Sequence, residues 1–187
     1  MTEACDPRDE LVLHLSSLRA FAISLTRNAA AADDLVQDTI VKAWTQIDKF
    51  TSGTNLRAWL FTIQRNTHYS NLRKHRREVA DPDGAYAGQL YVRPDHDGKL
   101  AFADFQRAFD KLSTEHREVL ILVGASGFSM EEAAGMMGVA VGTVKSRASR
   151  ARKRLSDLMG LADGEGLFDG VDAAALAAMG RSGARAA

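Results

Sequence analysis

Apolar side chains recur at steps of four and three near the start of the chain, at Leu11, Leu15, Leu18, Ala22 and Leu25. That spacing puts one stripe on a helix and predicts an amphipathic α-helix over residues 8–27. After a break at Asn28 to Ala32, Val36, Ile40, Ala43, Trp44 and Ile47 form a second apolar face, with Asp33, Asp34, Gln37, Asp38 and Lys42 turned away from it. The early aspartates suit a helix N-terminus. Phe50 to Asn55 (FTSGTN) is a polar turn with a glycine, and Thr54 or Asn55 can cap a third helix carrying Trp59, Leu60 and Ile63. Three helices joined by short loops imply a compact bundle.

From Glu78 onward the period dissolves into DPDGAYAGQLYVRPDHDG, rich in proline, glycine and aspartate, which reads as a linker. Helical spacing returns with Phe102, Phe105, Phe109 and Leu112, and again after Ser113 with Val119, Leu120 and Val123. Beyond Leu161 the composition shifts to alanine and glycine, the signature of a largely disordered tail. Leu167, Phe168, Val171, Leu176 and Met179 form one short apolar patch in it that can dock as a helix. The expected class is therefore all-α. Two small helical bundles (8–77 and 102–160) flank a flexible linker (78–101), with a tail at 161–187.

The strongest local signal is GFSMEEAAGMMGVAVGTVKSRASRARKRL, Gly127 to Leu155. Ser129 followed three residues on by Glu132 is a capping box, and Phe128 before it can staple onto the first turn. Small Ala133 and Ala134 with Met137 make an inner face, and Gly138 can take the left-handed conformation that ends the helix. After a turn through Val139 and Ala140, Val144, Ala148, Ala151, Leu155 and Leu158 form a new stripe opposite a face of Lys, Arg and Ser. Two helices joined by a glycine turn, the second apolar on one side and basic on the other, are what reading a major groove requires. Thr143, Lys145, Ser146, Ser149 and Arg150 fall where side chains reach base edges, while Arg147, Arg152, Lys153 and Arg154 suit phosphates. Ala140 stands at the N-cap, where Ser, Thr, Asp or Asn would be usual.

Composition adjusts this picture in one respect. The chain has 187 residues, 45% hydrophobic and 26% charged, and its formal net charge is zero, which at first argues against nucleic acid. The balance conceals two basic clusters free of acids. One is Arg57, Arg65, Arg73, Lys74, Arg76 and Arg77; the other is Lys145, Arg147, Arg150, Arg152, Lys153 and Arg154. A lone basic helix would read as a solvated face, but the capping box, glycine turn and small inner residues coincide with this one, which points to DNA. No apolar run approaches the roughly 18 residues of a membrane span, so no membrane insertion is expected. The single cysteine, Cys5, excludes an internal disulfide framework and fits a reducing cytoplasm.

The first basic cluster lies in NLRAWLFTIQRNTHYSNLRKHRR, among aromatic and amide groups suited to a phosphate backbone and unstacked bases. Trp59 and Phe61 read as core there, and His68 and Tyr69 as contacts. Part of the charge at Arg73 to Arg77 also favours the helix dipole, a structural role.

Together these segments resemble the extracytoplasmic-function sigma factors of bacterial RNA polymerase, which keep only the second and fourth sigma regions. DDLVQDTIVKAWTQIDKF looks like the core-binding segment of region two, NLRAWLFTIQRNTHYSNLRKHRR like its promoter-melting helix, and GFSMEEAAGMMGVAVGTVKSRASRARKRL like region four. The last string is most similar to the general-stress-response (EcfG-like) group of alphaproteobacteria. The resemblance implies a protein without covalent chemistry or cofactor. It places Asp33, Asp34, Gln37, Asp38, Lys42 and Trp44 against the clamp of the largest subunit of core RNA polymerase, whose flap is a further contact. It also places Phe50, Ser52 and Asn55 at a flipped-out base of the single-stranded nontemplate strand, with Arg57, Arg65, His68, Tyr69, Arg73 and Arg76 along the melted element. Thr143, Lys145, Ser146, Arg147, Ser149, Arg150, Arg152 and Lys153 would engage the distant promoter duplex. An anti-sigma factor is the implied regulator.

Two other readings linked to transcription compete. An autonomous transcription regulator would share the helix-turn-helix but leave the acidic and melting-type helices without a role. A sigma-mimicking decoy would lack the two basic faces. An enzyme fits least, because His14, His68, His75, His96 and His116 show no tight metal-ligand spacing.

Overall fold

The computed structural model describes residues 6–78 and 98–161, and every regular element among them is helical. The chain divides into two compact units, one on each side of residues 79–97. Those residues lie outside the described ones, as do Cys5 and the alanine-rich segment with its apolar patch, 162–187.

In the first unit the expected opening helix is broken. α1 (Pro7–Glu10) passes through a 3₁₀ turn, Leu11–His14, into α2 (Leu15–Thr26). The tighter turn advances about 120° per residue instead of about 100°, so Leu11 and Leu15 no longer share a face. Leu11 and Leu18 are buried, whereas Leu15 is 39% exposed and Val12 and Leu13 point to solvent. The chain reverses at Arg27, whose φ of 58° is left-handed, and the break is shorter than the sequence implies. Asn28 accepts from the Ala31 N–H at 3.0 Å, so α3 (Ala29–Thr45) starts at once and Asp33 and Asp34 fall in its second turn.

The buried face of α3 is Ala32, Leu35, Thr39 and Ala43, continued by Ile47, rather than the purely apolar set. Thr39 donates its hydroxyl to the Leu35 carbonyl at 2.7 Å, which satisfies it inside its own helix and lets it be buried. Two alanines in this stripe permit close approach by α2 and by α4 (Leu56–Glu78). From α4 come Leu56, Leu60, Phe61, Gln64, Thr67 and His68, and the Phe61 ring stacks on Phe21 with centroids 4.9 Å apart. Gln64 reaches across the core and donates from Nε2 to the Leu18 carbonyl at 2.9 Å.

The second unit opens with α5 (Gly98–Asp110), which begins inside the stretch expected as linker. Its buried Phe105 and Phe109 stack at 5.7 Å. Ser113 caps α6 (Thr114–Val119), and the chain continues into a π-helical segment, Leu120–Ala125. Ser126 donates to the Ile121 carbonyl five residues back at 2.7 Å, a widened turn that places Phe128 in the core. α7 (Met130–Met137) and α8 (Val141–Met159) follow, and both pack on the segment before them.

Candidate nucleic-acid interface

The capping box at the start of α7 is complete. Glu132 N–H donates to Ser129 Oγ at 3.0 Å, and Ser129 N–H donates to Glu132 Oε2 at 2.9 Å. Gly138 closes the helix with φ 65°, and the chain turns directly into α8. The Ala140 side chain makes no capping bond there, so the end of α8 is held by packing. Val144, Ala148, Ala151 and Leu155 are buried against α6 and α7, which fixes the rotation of α8 and turns its basic side outward. Leu158, the last of the expected stripe, is only half-buried.

On that outward side Lys145, Ser149, Arg150, Lys153 and Arg154 are exposed, with Thr143, Ser146 and Arg152 half-buried beside them. Ser146 donates its hydroxyl to the Thr143 carbonyl at 3.0 Å, so its proton is already engaged. Arg147 stands apart from the phosphate set. Its Nη2 lies 3.2 Å from Glu115 Oε2 on α6. Local spacing carries no sign of Glu115, which is distant along the chain from Arg147.

The basic stretch of α4 is ordered by its aromatics. The Arg57 guanidinium sits 5.4 Å from the Phe61 ring centre and that of Arg65 4.7 Å from Tyr69, each attracted by the ring face. Arg73 is exposed, and Arg76 belongs to the same helix, its side chain outside the described residues. His68 does not join this surface. It is 8% exposed and meets the Tyr69 ring edge-on at 5.3 Å, because α4 turns it with Gln64 and Thr67 toward the core. In the preceding turn Ser52 is exposed, whereas Phe50 leans on half-buried Trp59 at 5.4 Å. Asn55 Oδ1 accepts from the Ala58 N–H at 3.1 Å, so this residue, not Thr54, caps α4.

Along α3, Asp34, Gln37 and Asp38 are exposed. Trp44 is 54% exposed rather than part of the core, with the Arg8 guanidinium 5.6 Å over its ring. Two of the expected partner-binding side chains have internal contacts. Asp33 accepts from Arg19 Nε at 2.6 Å, which raises the arginine's pKa through that hydrogen bond, and Lys42 Nζ donates to Thr67 Oγ1 at 3.1 Å. Arg8 and Arg19, from the first helical stretch, are neighbours of this face that sequence spacing could not reveal.

Comparison with known proteins places these surfaces in a family. Residues 11–78 match the Sigma-70 region 2 family model and residues 102–155 the Sigma-70 region 4 model. The chain is 56% identical over 152 residues to the ECF RNA polymerase sigma factor EcfG of Rhodopseudomonas palustris (strain TIE-1), covering 81% of this chain and 84% of the relative. The chain belongs to the ECF sigma factors, in the EcfG-like group.

As a sigma factor it directs RNA polymerase to promoters and takes part in transcription initiation. It is also similar in structure to the sigma factor RpoE from Bartonella quintana, solved in complex with the anti-sigma factor NepR. That match has TM-score 0.74 and 53% identity over 81% of this chain and 95% of the other. CnrH, solved with the cytosolic domain of CnrY, matches at TM-score 0.52 and 28% identity over 81% of this chain and 86% of the other. Among the described residues no helix is long and apolar enough to cross a membrane, and no group of three or more His, Cys, Asp or Glu could hold a metal ion.

Proposed function

We propose that the two basic faces divide promoter recognition between duplex and single strand. α8 lies in the major groove of the distant element, where Lys145, Ser149 and Arg150 read base edges, helped by Thr143 and Ser146. Arg152, Lys153 and Arg154 hold phosphates. The observation that carries this reading is the fixed rotation of α8, whose buried stripe leaves an outward face of basic and hydroxyl side chains.

In the first unit, the turn with Phe50, Ser52 and Asn55 takes an unstacked base, and Arg57, Arg65, Tyr69, Arg73 and Arg76 follow the displaced strand. Unstacking costs a few kcal/mol, which capture of the base returns. Asp33, Asp34, Gln37, Asp38 and Trp44 face the clamp of core polymerase, and region four meets the flap. The prolines and glycines of residues 79–97 fit a linker that lets the two binding units act on separate promoter elements. The factor acts in the cytoplasm, on stress-response promoters, under an anti-sigma factor. Its likeness to RpoE of Bartonella quintana, solved with NepR, supports that control.

Footprinting with and without core polymerase tests this reading. Weak protection by the chain alone and a specific open complex with polymerase are expected. Equally specific duplex protection without polymerase would overturn this division, because recognition would then need neither the clamp contact nor the captured strand.

A further inference from the structure

Thr143, Arg147, Arg150 and Arg154 lie within about 60° of arc on α8 and form one flank of its basic face, beside the buried stripe. Arg150 and Arg154 are exposed, but Arg147 is only 23% exposed and lies 3.2 Å from Glu115, itself 59% exposed in the first turn of α6. An acid therefore stands at the edge of a row of guanidinium groups. We propose that Glu115 is a specificity-determining residue of this sigma factor, withholding Arg147 from DNA phosphates so that the recognition helix adheres less to non-promoter duplex.

A guanidinium already neutralised by a carboxylate releases no counterion when it binds DNA, and the carboxylate repels any phosphate brought to that flank. Non-specific complexes suffer most. They choose whatever register gives most phosphate contacts, whereas a promoter complex has its register set by base contacts elsewhere on α8. Glu115 thus lowers background binding more than promoter binding. It needs no contact with DNA and acts through Arg147.

This inference rests on α8 being the reading helix, and its test separates the two. Fluorescence anisotropy of the full-length chain, alone and bound to core polymerase, on promoter-element and scrambled duplexes over a salt series first shows whether the wild type prefers the promoter element. No preference in either form would count against the reading of α8 itself. Given a preference, E115Q should bind scrambled duplex about five-fold more tightly near physiological salt. Its log K against log salt slope should steepen by about 0.9, the contribution of one more neutralised phosphate. The promoter preference should fall accordingly. R147A should keep the wild-type slope, and the E115Q/R147A double variant should return to it, with thermal melting confirming that each variant is folded. A slope in E115Q equal to wild type, or a slope in R147A flattened by about 0.9, would overturn the proposal and make Arg147 an ordinary phosphate ligand.

Discussion

Gln64 sits fully inside the first unit, with its Nε2 bonded to the Leu18 carbonyl and its Oε1 buried without a hydrogen-bond partner. A buried acceptor left unmade costs about 1–3 kcal/mol, more than the roughly 1 kcal/mol that one neutral hydrogen bond contributes. Gln64→Leu should therefore unfold in urea at a midpoint equal to or above wild type, whereas Gln64→Glu, which buries a charge at the same place, should be strongly destabilised. His14 provides a second residue-scale test. Burial and, next, the positive charge of Arg57 hold its pKa below the ordinary 6.5, with Glu10 opposing them. In the window between the folded value and 6.5 the unfolded chain binds the extra proton, so stability rises with pH across it and is lost as pH falls. His14→Gln should flatten that slope in urea midpoints measured between about pH 5 and 8. The change should be small, because His14 is only half-buried and solvent screens its interactions.

At the scale of elements, capping explains where helices start better than periodicity does. Asn28, Asn55, Ser113 and Ser129 each accept a backbone N–H with the side chain, and each stands directly before or beside the first helical residue. α2, which runs straight on from the 3₁₀ turn, has no side-chain cap, and α8 has none either, its N-cap Ala140 offering nothing. Ala140→Ser should stabilise the second unit by about 0.5–2 kcal/mol in thermal or chemical melts, because the first turn of α8 gains an acceptor. An unchanged melt would show that packing already saturates that end. The capping bond of Asn55 also means that Asn55→Ala mixes loss of a cap with loss of any base contact. Asn55→Asp keeps the capping oxygen and is the cleaner probe. The 3₁₀ turn at Leu11–His14 and the π-helical turn at Leu120–Ala125 are the elements that hydrophobic spacing did not announce. Both alter the angular step per residue, which a pattern read at a constant period cannot register.

For the whole molecule, a net charge of zero is compatible with DNA binding because its cations are concentrated on α4 and α8 while acids line α3. The exposed Trp44 on that acidic helix gives a test of assembly. Trp44→Ala removes a large half-exposed aromatic with little effect on folding, and an aromatic anchor of an interface typically contributes about 2 kcal/mol or more. It should weaken binding to core polymerase by roughly 30-fold, while circular dichroism and the melting midpoint stay near wild type. Unchanged polymerase affinity would remove Trp44 from the proposed interface.

The all-helical class, the helix-turn-helix with its capping box and Gly138, and the sigma-factor family were all legible along the chain. These rest on local spacing, on backbone conformations that only certain residues favour, and on strings long enough to be specific. Packing between helices set which side chains of each one face solvent. Trp44 moved outward and His68 inward because the burial of α3 and α4 is set by neighbouring helices, and Thr39 and Gln64 could enter the core only through the hydrogen bonds they found there. It alone brought Glu115 to Arg147, since ion pairs between residues distant in the chain depend on how helices pack and leave no trace in local spacing.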